Sequence, residues 1–190
     1  MAFEMEKHVL LESEEIQRIL NRMAHEIVEK SDAIQELALI GIRSRGAHLV
    51  RRIAKKIETL TGSALSVGII DVSRYRDDVP KMEANPDPAL MKAPLTVDEK
   101  TLVLVDDVIY TGRTIRAAID LVGCLGKPRR ILVAALVDRG QRELPIKADI
   151  IGKNVEVGES ERVNVLLEES DGIDQVTVAQ LHPSSVRTRA

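Results

Sequence analysis

Residues 101–114 read TLVLVDDVIYTGRT, and this stretch decides the fold. Its first five residues are β-branched or leucine and predict a buried strand, which runs directly into two acids. A Thr/Gly turn follows and opens a helix with one apolar side, formed by Ile115, Ala118, Ile119 and Val122. A strand, an acid pair, a hydroxyl-rich turn and a helix in this order are typical of a ligand site at the carboxyl edge of a parallel sheet.

The Thr/Gly turn has the chemistry of a phosphate site. Thr111 and Thr114 supply hydroxyls at a helix N-terminus, whose free N–H groups attract phosphate, and Gly112 lets the backbone come close. Asp106 and Asp107 would repel that phosphate, so their partners are sugar hydroxyls, a proton or a cation. A phosphorylated sugar satisfies both halves. The competing interpretation is a helix-capping pair in an ordinary turn, but a cap explains only one acid.

Other phosphate motifs are missing from the chain. It has no Gly-x-x-x-x-Gly-Lys-Ser/Thr loop and no Gly-x-Gly-x-x-Gly after the first strand. Both absences argue against ordinary kinases and dinucleotide-binding enzymes.

The elements on either side of the stretch alternate between strand and helix. Ser13 is the expected N-cap of a first helix with an apolar stripe, and a second helix follows the strand at residues 37–42. Further strands are expected at residues 65–71 and 131–137. This order predicts an α/β fold with a central, mostly parallel sheet flanked by helices. The apolar stripes are Ile16, Ile19, Leu20, Met23 and Ile27 in the first helix, and Val50, Ile53, Ala54, Ile57 and Leu60 in the second.

The chain length favours a single domain over residues 1–190. Residues 72–100 carry four prolines and scattered charges without periodicity, as expected for a functional lid or a disordered loop. Shorter candidate strands at residues 149–151, 163–167 and 176–178 predict a small antiparallel or irregular addition, a hood over about residues 148–185.

Composition excludes some partners and environments. A net charge of -3 leaves any nucleic-acid binding to a local basic patch, and Phe3, Tyr75 and Tyr110 are too few aromatic residues for base-stacking platforms. No apolar run approaches the roughly 20 residues of a membrane span.

The single Cys124 forms no internal disulfide and fits a small packing role, so a reducing cytoplasm is expected. The histidines His8, His48 and His182 lack metal-ligand spacing.

Residues 103–115 resemble the phosphoribosyl diphosphate signature of type I phosphoribosyltransferases, a hydrophobic strand followed by paired acids and a Thr/Ser-Gly turn. The whole chain resembles one family of that fold, the bifunctional uracil phosphoribosyltransferases and pyrimidine operon attenuators known as PyrR. The segments that carry the resemblance are RMAHE at 22–26, GIRSRG at 41–46, YRDD at 75–78, VDDVIYTGRTIRA at 105–117, VDRGQRELP at 137–145 and ADIIGKN at 148–154.

The resemblance implies roles for particular residues. Asp106 and Asp107 would hold the ribose hydroxyls, and residues 111–114 would wrap the 5-phosphate. Arg45 would bind the leaving diphosphate with Mg²⁺, which is held through the diphosphate with no protein ligand assigned. The donor-binding set is then Ser44, Arg45, Asp106, Asp107, Val108, Ile109, Tyr110, Thr111, Gly112, Arg113 and Thr114; the catalytic set is Arg45, Arg76 and Asp107; and the base pocket is Arg139 and Val163.

The reaction implied is displacement of diphosphate from phosphoribosyl diphosphate by uracil, giving UMP, with the YRDD segment in a lid that keeps water out. Alternatives are a phosphoribosyltransferase for orotate, hypoxanthine or guanine, and an RNA-binding regulator that uses the pocket mainly as a UMP sensor. The resemblance also implies a homodimer or a larger homo-oligomer.

A leader mRNA hairpin of pyrimidine genes is the second partner that the resemblance implies. The basic residues available for it are Arg18, Arg22, His25, Arg142, Lys147 and Lys153. A solvated helix face commonly carries this much charge, so an ordinary surface is the alternative interpretation. Three residues depart from the family pattern: Gln141 replaces the usual histidine, Arg74 the usual leucine and Ser44 the usual threonine. The first bears on RNA affinity, the second on the lid or subunit packing, and the third is a mild change.

Overall fold

Within residues 7–72 and 95–180, the part of the chain that the structure describes, the computed structural model contains eight strands and four α-helices, with a short 3-10 turn at Ile34–Glu36. The strands are β1 Lys7–Glu12, β2 Leu37–Ile42, β3 Ser66–Ile70, β4 Thr101–Ile109, β5 Arg130–Asp138, β6 Ile150–Asn154, β7 Glu161–Leu166 and β8 Gln175–Gln180. The helices are α1 Ser13–Glu29, α2 Gly46–Thr61, α3 Arg113–Leu125 and α4 Glu168–Asp171.

The central sheet has five parallel strands in the order β3-β2-β4-β5-β6. This confirms the predicted α/β fold. From β2 the chain proceeds to β3 on one side, whereas β4, on the other side of β2, leads outward to β5. The strand order therefore reverses between β2 and β4, and a crevice at the carboxyl ends of two such strands is where open α/β sheets bind ligands.

Apolar side chains cover both faces of the sheet, as a parallel sheet requires. One cluster packs α1 and α2 against one face, with Leu20 and Ile53 fully buried, and the other packs α3 against the opposite face, with Ala118 and Val122 fully buried. All six residues of β2 are buried. The two helices that follow β2 and β4 thus lie on opposite faces, which leaves the crevice between those strands open.

The small antiparallel sheet contains the predicted strands at residues 163–167 and 176–178, as β7 and β8, but it differs from the prediction in its third strand. Its order is β1-β8-β7, so an N-terminal strand that the sequence did not indicate pairs with the C-terminal strands. The candidate strand at residues 149–151 is β6, which extends the central sheet in parallel to β5. Its assignment to the hood was wrong, because a short apolar run does not reveal which sheet edge it will join. Here "hood" means β1, β7 and β8.

Three local predictions are corrected. The N-cap of α1 is Glu12, whose N–H donates to Glu15 Oε2 (3.1 Å), so Ser13 is the first helical residue and not the cap. Cys124 is exposed and does not pack in the core. Leu60 belongs to the predicted apolar face of α2 but is 45% exposed, since it follows the last turn that contacts the sheet.

The loop predicted at residues 72–100 is described only at its two ends, where Val72, Leu95 and Val97 are buried in the core cluster beside α3. Arg74, the segment at 75–78 and His182 lie outside the described residues. Among the described helices, none combines the length and the apolar character needed to cross a membrane.

Candidate active site

A cleft of about 400 Å³ lies at the reversal point between β2 and β4. It joins the turns that follow these two strands to the end of β5 and to the hood. The lining residues are Arg43, Ser44, Asp106, Asp107, Val108, Ile109, Tyr110, Thr111, Gly112, Thr114, Ile115, Arg139, Arg162 and Val163. Most residues predicted for the donor site and both predicted for the base pocket therefore surround one space.

Gly46 explains how the two turns come together. A Cβ at this position would lie 2.5 Å from the Val105 carbonyl oxygen and 3.4 Å from the Asp106 Cα, closer than a side chain tolerates. The first residue of α2 thus packs directly on the backbone of β4. This contact sets the turn at residues 43–46, which contains a cis peptide bond between Arg43 and Ser44, beside the acid pair.

The two acids differ in their surroundings. Asp106 is only 6% exposed, and its Oδ1 accepts a hydrogen bond from the Asp107 N–H (3.0 Å). Asp107 is partly exposed, and its carboxylate makes no hydrogen bond or ion pair with the described residues. Both lie within β4, which continues to Ile109, whereas the sequence placed the end of the strand before them. Strand backbone holds the pair more rigidly than a turn would.

The phosphate turn, residues 110–114, leads into α3 at Gly112. Gly112 is the N-cap and has a φ of 92°, a left-handed conformation that favours glycine. The turn exposes backbone N–H groups of the first helical turn at the edge of the cleft. Arg113 does not line the cleft, because its Nε donates to Glu143 Oε2 (2.7 Å).

The loop after β5 supports the phosphate turn from outside. The N–H groups of Glu143 and Leu144 both donate to the Thr111 carbonyl (3.0 and 3.1 Å). Arg142 donates to the carbonyl oxygens of Tyr110 (2.8 Å) and Ile146 (2.9 Å), and it pairs with Asp138 at 2.6 Å. The residues 138–146 therefore form a brace that fixes the phosphate turn against the end of β5.

Arg139, which follows β5, and Val163, in β7, both line the cleft, and both are mostly buried. The Arg139 guanidinium lies over the Tyr110 ring, with its Cζ 3.9 Å from the ring centroid. The backbone N–H of Arg139 donates to the Ile109 carbonyl oxygen (3.1 Å). Its Nε is buried and has no hydrogen-bond partner among the described residues. A planar, cationic and partly unsatisfied group thus borders the cleft.

Arg45, predicted to bind diphosphate, is not among the lining residues. Its Nη2 donates to both carboxylate oxygens of Asp171 in α4 (3.0 and 3.3 Å), and its Nε is buried without a partner in the described structure. The Leu167 N–H, and then Arg45, hold the pKa of Asp171 below its ordinary value. Arg76, the other arginine predicted for catalysis, lies outside the described residues.

α4 is fastened to α2 by more than this contact. Arg52 pairs with Asp174 and Glu169, each at 2.6 Å, and His48 Nε2 lies 3.0 Å from Ser170 Oγ. Arg52 lowers the pKa of both carboxylates, and they raise its own. The hood is therefore tied to the helix that begins at the 43–46 turn.

Sequence reasoning missed three lining residues, Arg43, Ile115 and Arg162. Arg43 pairs with Asp71 at 3.2 Å and lies in the same turn as the predicted Ser44 and Arg45. Its positive charge in that turn was the signal that could have identified it. Arg162 reaches the cleft only because β7 packs at the carboxyl edge of the sheet. No local pattern in the sequence signals that contact.

The residues predicted for RNA binding are partly engaged inside the protein. Arg22 donates to the carbonyls of Ile151 (2.9 Å) and Gly152 (2.6 Å), and Lys153 donates to the carbonyl of Leu10 (3.3 Å). These carbonyls hold both cations in place, and Arg22 also forms an ion pair with Glu26 (3.6 Å). Arg18 and Lys147 are exposed, and His25 borders an open groove between α1 and α2. Arg142 is paired with Asp138, as described above.

The described residues contain no cluster of three or more His, Cys, Asp or Glu side chains that could hold a metal ion by themselves. A cation at the cleft could share its ligands with a bound anion, and Asp107, whose partly exposed carboxylate makes no hydrogen bond or ion pair with the described residues, lines the cleft.

Comparisons with known proteins agree with this geometry. The model of the phosphoribosyl transferase domain matches residues 9–166. A bifunctional protein PyrR from Chloroflexus aurantiacus is 50% identical over 171 residues, which cover 89% of this chain and 93% of the relative. One from Bacillus subtilis is 45% identical over 175 residues, covering 91% and 97%.

Solved structures support the fold at much lower identity. A hypoxanthine phosphoribosyltransferase from Staphylococcus aureus superposes with a TM-score of 0.67 at 20% identity, covering 93% of each chain. Another from Trypanosoma cruzi gives 0.68 at 16% identity, covering 92% of this chain and 97% of the other. The sheet, the cleft and the curated relatives lead to one conclusion: this chain has the type I phosphoribosyltransferase fold and belongs to the PyrR family of phosphoribosyltransferases.

Proposed function

We propose that this protein transfers the ribose 5-phosphate of phosphoribosyl diphosphate to uracil, forming UMP and diphosphate, and that it also binds leader mRNA of pyrimidine genes. The observation that carries the enzymatic part is the single cleft that joins an acid pair, a helix N-terminus and a stacked arginine. Family membership supports uracil as the base.

Each part of the cleft has a distinct task in this reaction. Asp106 and Asp107 accept hydrogen bonds from the ribose hydroxyls, and the N–H groups at the start of α3 bind the 5-phosphate. Arg139 and Val163 hold the base flat against the anomeric carbon. Nothing in the cleft needs to act as a nucleophile, because the base itself displaces the diphosphate. Catalysis then rests on alignment and on fixed charges.

Mg²⁺ bound together with the diphosphate would neutralise charge on the leaving group. Asp107, which lines the cleft, would share that ion with the diphosphate, and Arg45 would bind the diphosphate after giving up its pair with Asp171. Under this proposal the ion would be held mainly through the substrate.

The enzymatic proposal is tested by incubating the protein with phosphoribosyl diphosphate, Mg²⁺ and, separately, uracil, orotate, hypoxanthine or guanine. UMP and an equal amount of diphosphate are expected with uracil alone. Transfer to orotate or a purine, with none to uracil, would replace the base assignment. UMP binding without turnover would favour the sensor interpretation.

RNA binding is proposed as the second activity, because the relatives are named bifunctional and Lys153 presents a cation fixed by a backbone carbonyl. Lys147 is the sharpest test residue, since it is exposed and makes no hydrogen bond or ion pair with the described residues. Arg142 is unsuitable, because its removal would also loosen the phosphate turn.

We expect Lys147→Ala to weaken filter binding of the leader hairpin and to reduce the slope of log affinity against log salt by about 1. Lys127→Ala, an exposed lysine next to the end of α3, is the matched control and should change neither quantity. Equal affinity in all three proteins, with and without UMP, would remove this patch. A homo-oligomer and a cytoplasmic location stay predictions.

A further inference from the structure

Gln141 lies where the loop after β5 meets the segment that leads into β7. Its side-chain amide makes two bonds in opposite directions: Oε1 accepts from Arg139 Nη2 (3.2 Å), and Nε2 donates to the Val157 carbonyl (3.2 Å). Both ends of the amide are therefore used in their proper roles, an acceptor toward a cation and a donor toward a carbonyl.

The backbone at Gln141 shows that this position is held in place. Its φ is 54°, in the left-handed region that residues with a Cβ seldom adopt. Such a conformation persists where surrounding contacts impose it, and it often marks a functional site. At Gln141 the contacts are the two amide bonds and the braced neighbour Arg142.

The residue that Gln141 holds is the one with an unused donor. Arg139 is 8% exposed, it stacks on Tyr110, and its Nε makes no hydrogen bond with the described residues. Arg139 also lines the cleft, so the accessible part of its guanidinium can donate to a ligand that carries an acceptor. An exocyclic carbonyl of a base is an acceptor of the right kind, whereas an amino group at that place is not.

We propose that Gln141 is a positioning residue for base recognition. It fixes the Arg139 guanidinium so that this group can donate a hydrogen bond to a base carbonyl, and it links that group to the hood through Val157. The inference rests on the proposed transfer to a base. It assigns position 141 to the base pocket, whereas the sequence alone related its departure from the family pattern to RNA affinity.

The test separates base binding from donor binding. In Gln141→Ala we expect the KM for uracil to rise about fivefold, the effect of one lost hydrogen bond, with the KM for phosphoribosyl diphosphate changed by less than about twofold. Gln141→Glu keeps an acceptor for Arg139 and should restore most of the uracil KM. Gln35→Ala, an exposed glutamine in the 3-10 turn, is the matched control and should behave as the wild type.

A double variant shows whether the effect passes through Arg139. Adding Gln141→Ala to Arg139→Ala should change the uracil KM no further. A normal uracil KM in Gln141→Ala, an equal rise in both KM values, or additive effects in the double variant would each overturn the proposal.

A second readout needs no substrate. The Arg139 Nε–H is buried in the wild type, so NMR should find it protected from exchange with water, and Gln141→Ala should speed that exchange. Unchanged exchange would overturn the positioning role even if the wild type transferred no phosphoribosyl group to any base. Absence of UMP formation with accelerated exchange would instead reject the proposed function and keep the positioning role.

Discussion

Two turns follow neighbouring strands of the same sheet, and they build their parts of the cleft differently. The phosphate turn after β4 presents backbone N–H groups, short hydroxyls and the two acids just before it, all within nine residues of sequence. The turn after β2 supplies Arg43 and Ser44 to the cleft, whereas its long side chain Arg45 is paired with a residue 126 positions away. The first turn is a local structure, whereas the second depends on tertiary contacts.

This difference has a physical origin. A helix N-terminus and a glycine at positive φ keep their geometry whatever surrounds them. An arginine has four rotatable bonds, and its final partner depends on which opposite charge the fold brings near. The α4 segment supplies that charge for Arg45, and the Arg52 pairs with Glu169 and Asp174 keep the segment there.

The largest expected effect concerns the acids before the phosphate turn. Asp106→Asn with Asp107→Asn should weaken binding of phosphoribosyl diphosphate by about 100-fold or more, because hydrogen bonds to charged groups contribute roughly 1.5–3 kcal/mol each. Isothermal titration calorimetry measures this affinity. Asp120→Asn, an exposed acid on α3, is the control and should bind normally. Unchanged affinity in a folded double variant would show that these acids do not hold the sugar.

The same difference explains how much the sequence could predict. Residues 101–114 define their own strand, turn and helix, so the acids and Gly112 were identified without any tertiary information. The parallel arrangement of the central sheet also followed from the alternation of strand and helix. The pairing of β1 with β8 did not, because β1 is six residues of mixed character whose partner is at the other end of the chain.

Within the cleft, the sequence could not predict which partners the long side chains contact. Arg139 was named for the base pocket by family resemblance, but its stacking on Tyr110 and its bond to Gln141 required coordinates. Arg142 looked like a surface cation, yet it serves as an internal brace because three nearby carbonyls and Asp138 surround it. Charge alone does not distinguish a cation that binds RNA from one that binds its own backbone.

A smaller effect tests whether the phosphate turn really acts through its backbone. Gly112→Ala and Gly62→Ala both place a Cβ at positive φ (92° and 71°), so each should lower the free energy of unfolding by about 1–2 kcal/mol. Only Gly112→Ala should also weaken phosphoribosyl diphosphate binding, by about fivefold, because the strain of a Cβ at positive φ then falls within the phosphate turn itself. Chemical denaturation and calorimetry measure the two quantities. Equal affinity in the two variants would contradict the backbone model.

The smallest effect concerns the second turn, where Asp171 competes with diphosphate for Arg45. Asp171→Asn should tighten binding of Mg²⁺-diphosphate by about threefold, the range of one exposed ion pair, and the change should vanish when Arg45→Ala is also present. Weaker binding in Asp171→Asn would instead mean that Asp171 orients Arg45 toward the ligand.

Acid provides an independent check on the same contact. The pKa of Asp171 is lowered in the folded chain by the Leu167 N–H and by Arg45, so this carboxylate contributes stability above its unfolded pKa of about 3.9, and the contribution is lost as the pH falls through the lower folded value. The difference in melting temperature between the wild type and Asp171→Asn should therefore be constant from pH 6 to 8 and should shrink only below about pH 4. A difference that changed near neutral pH would contradict this account of the Asp171 contact.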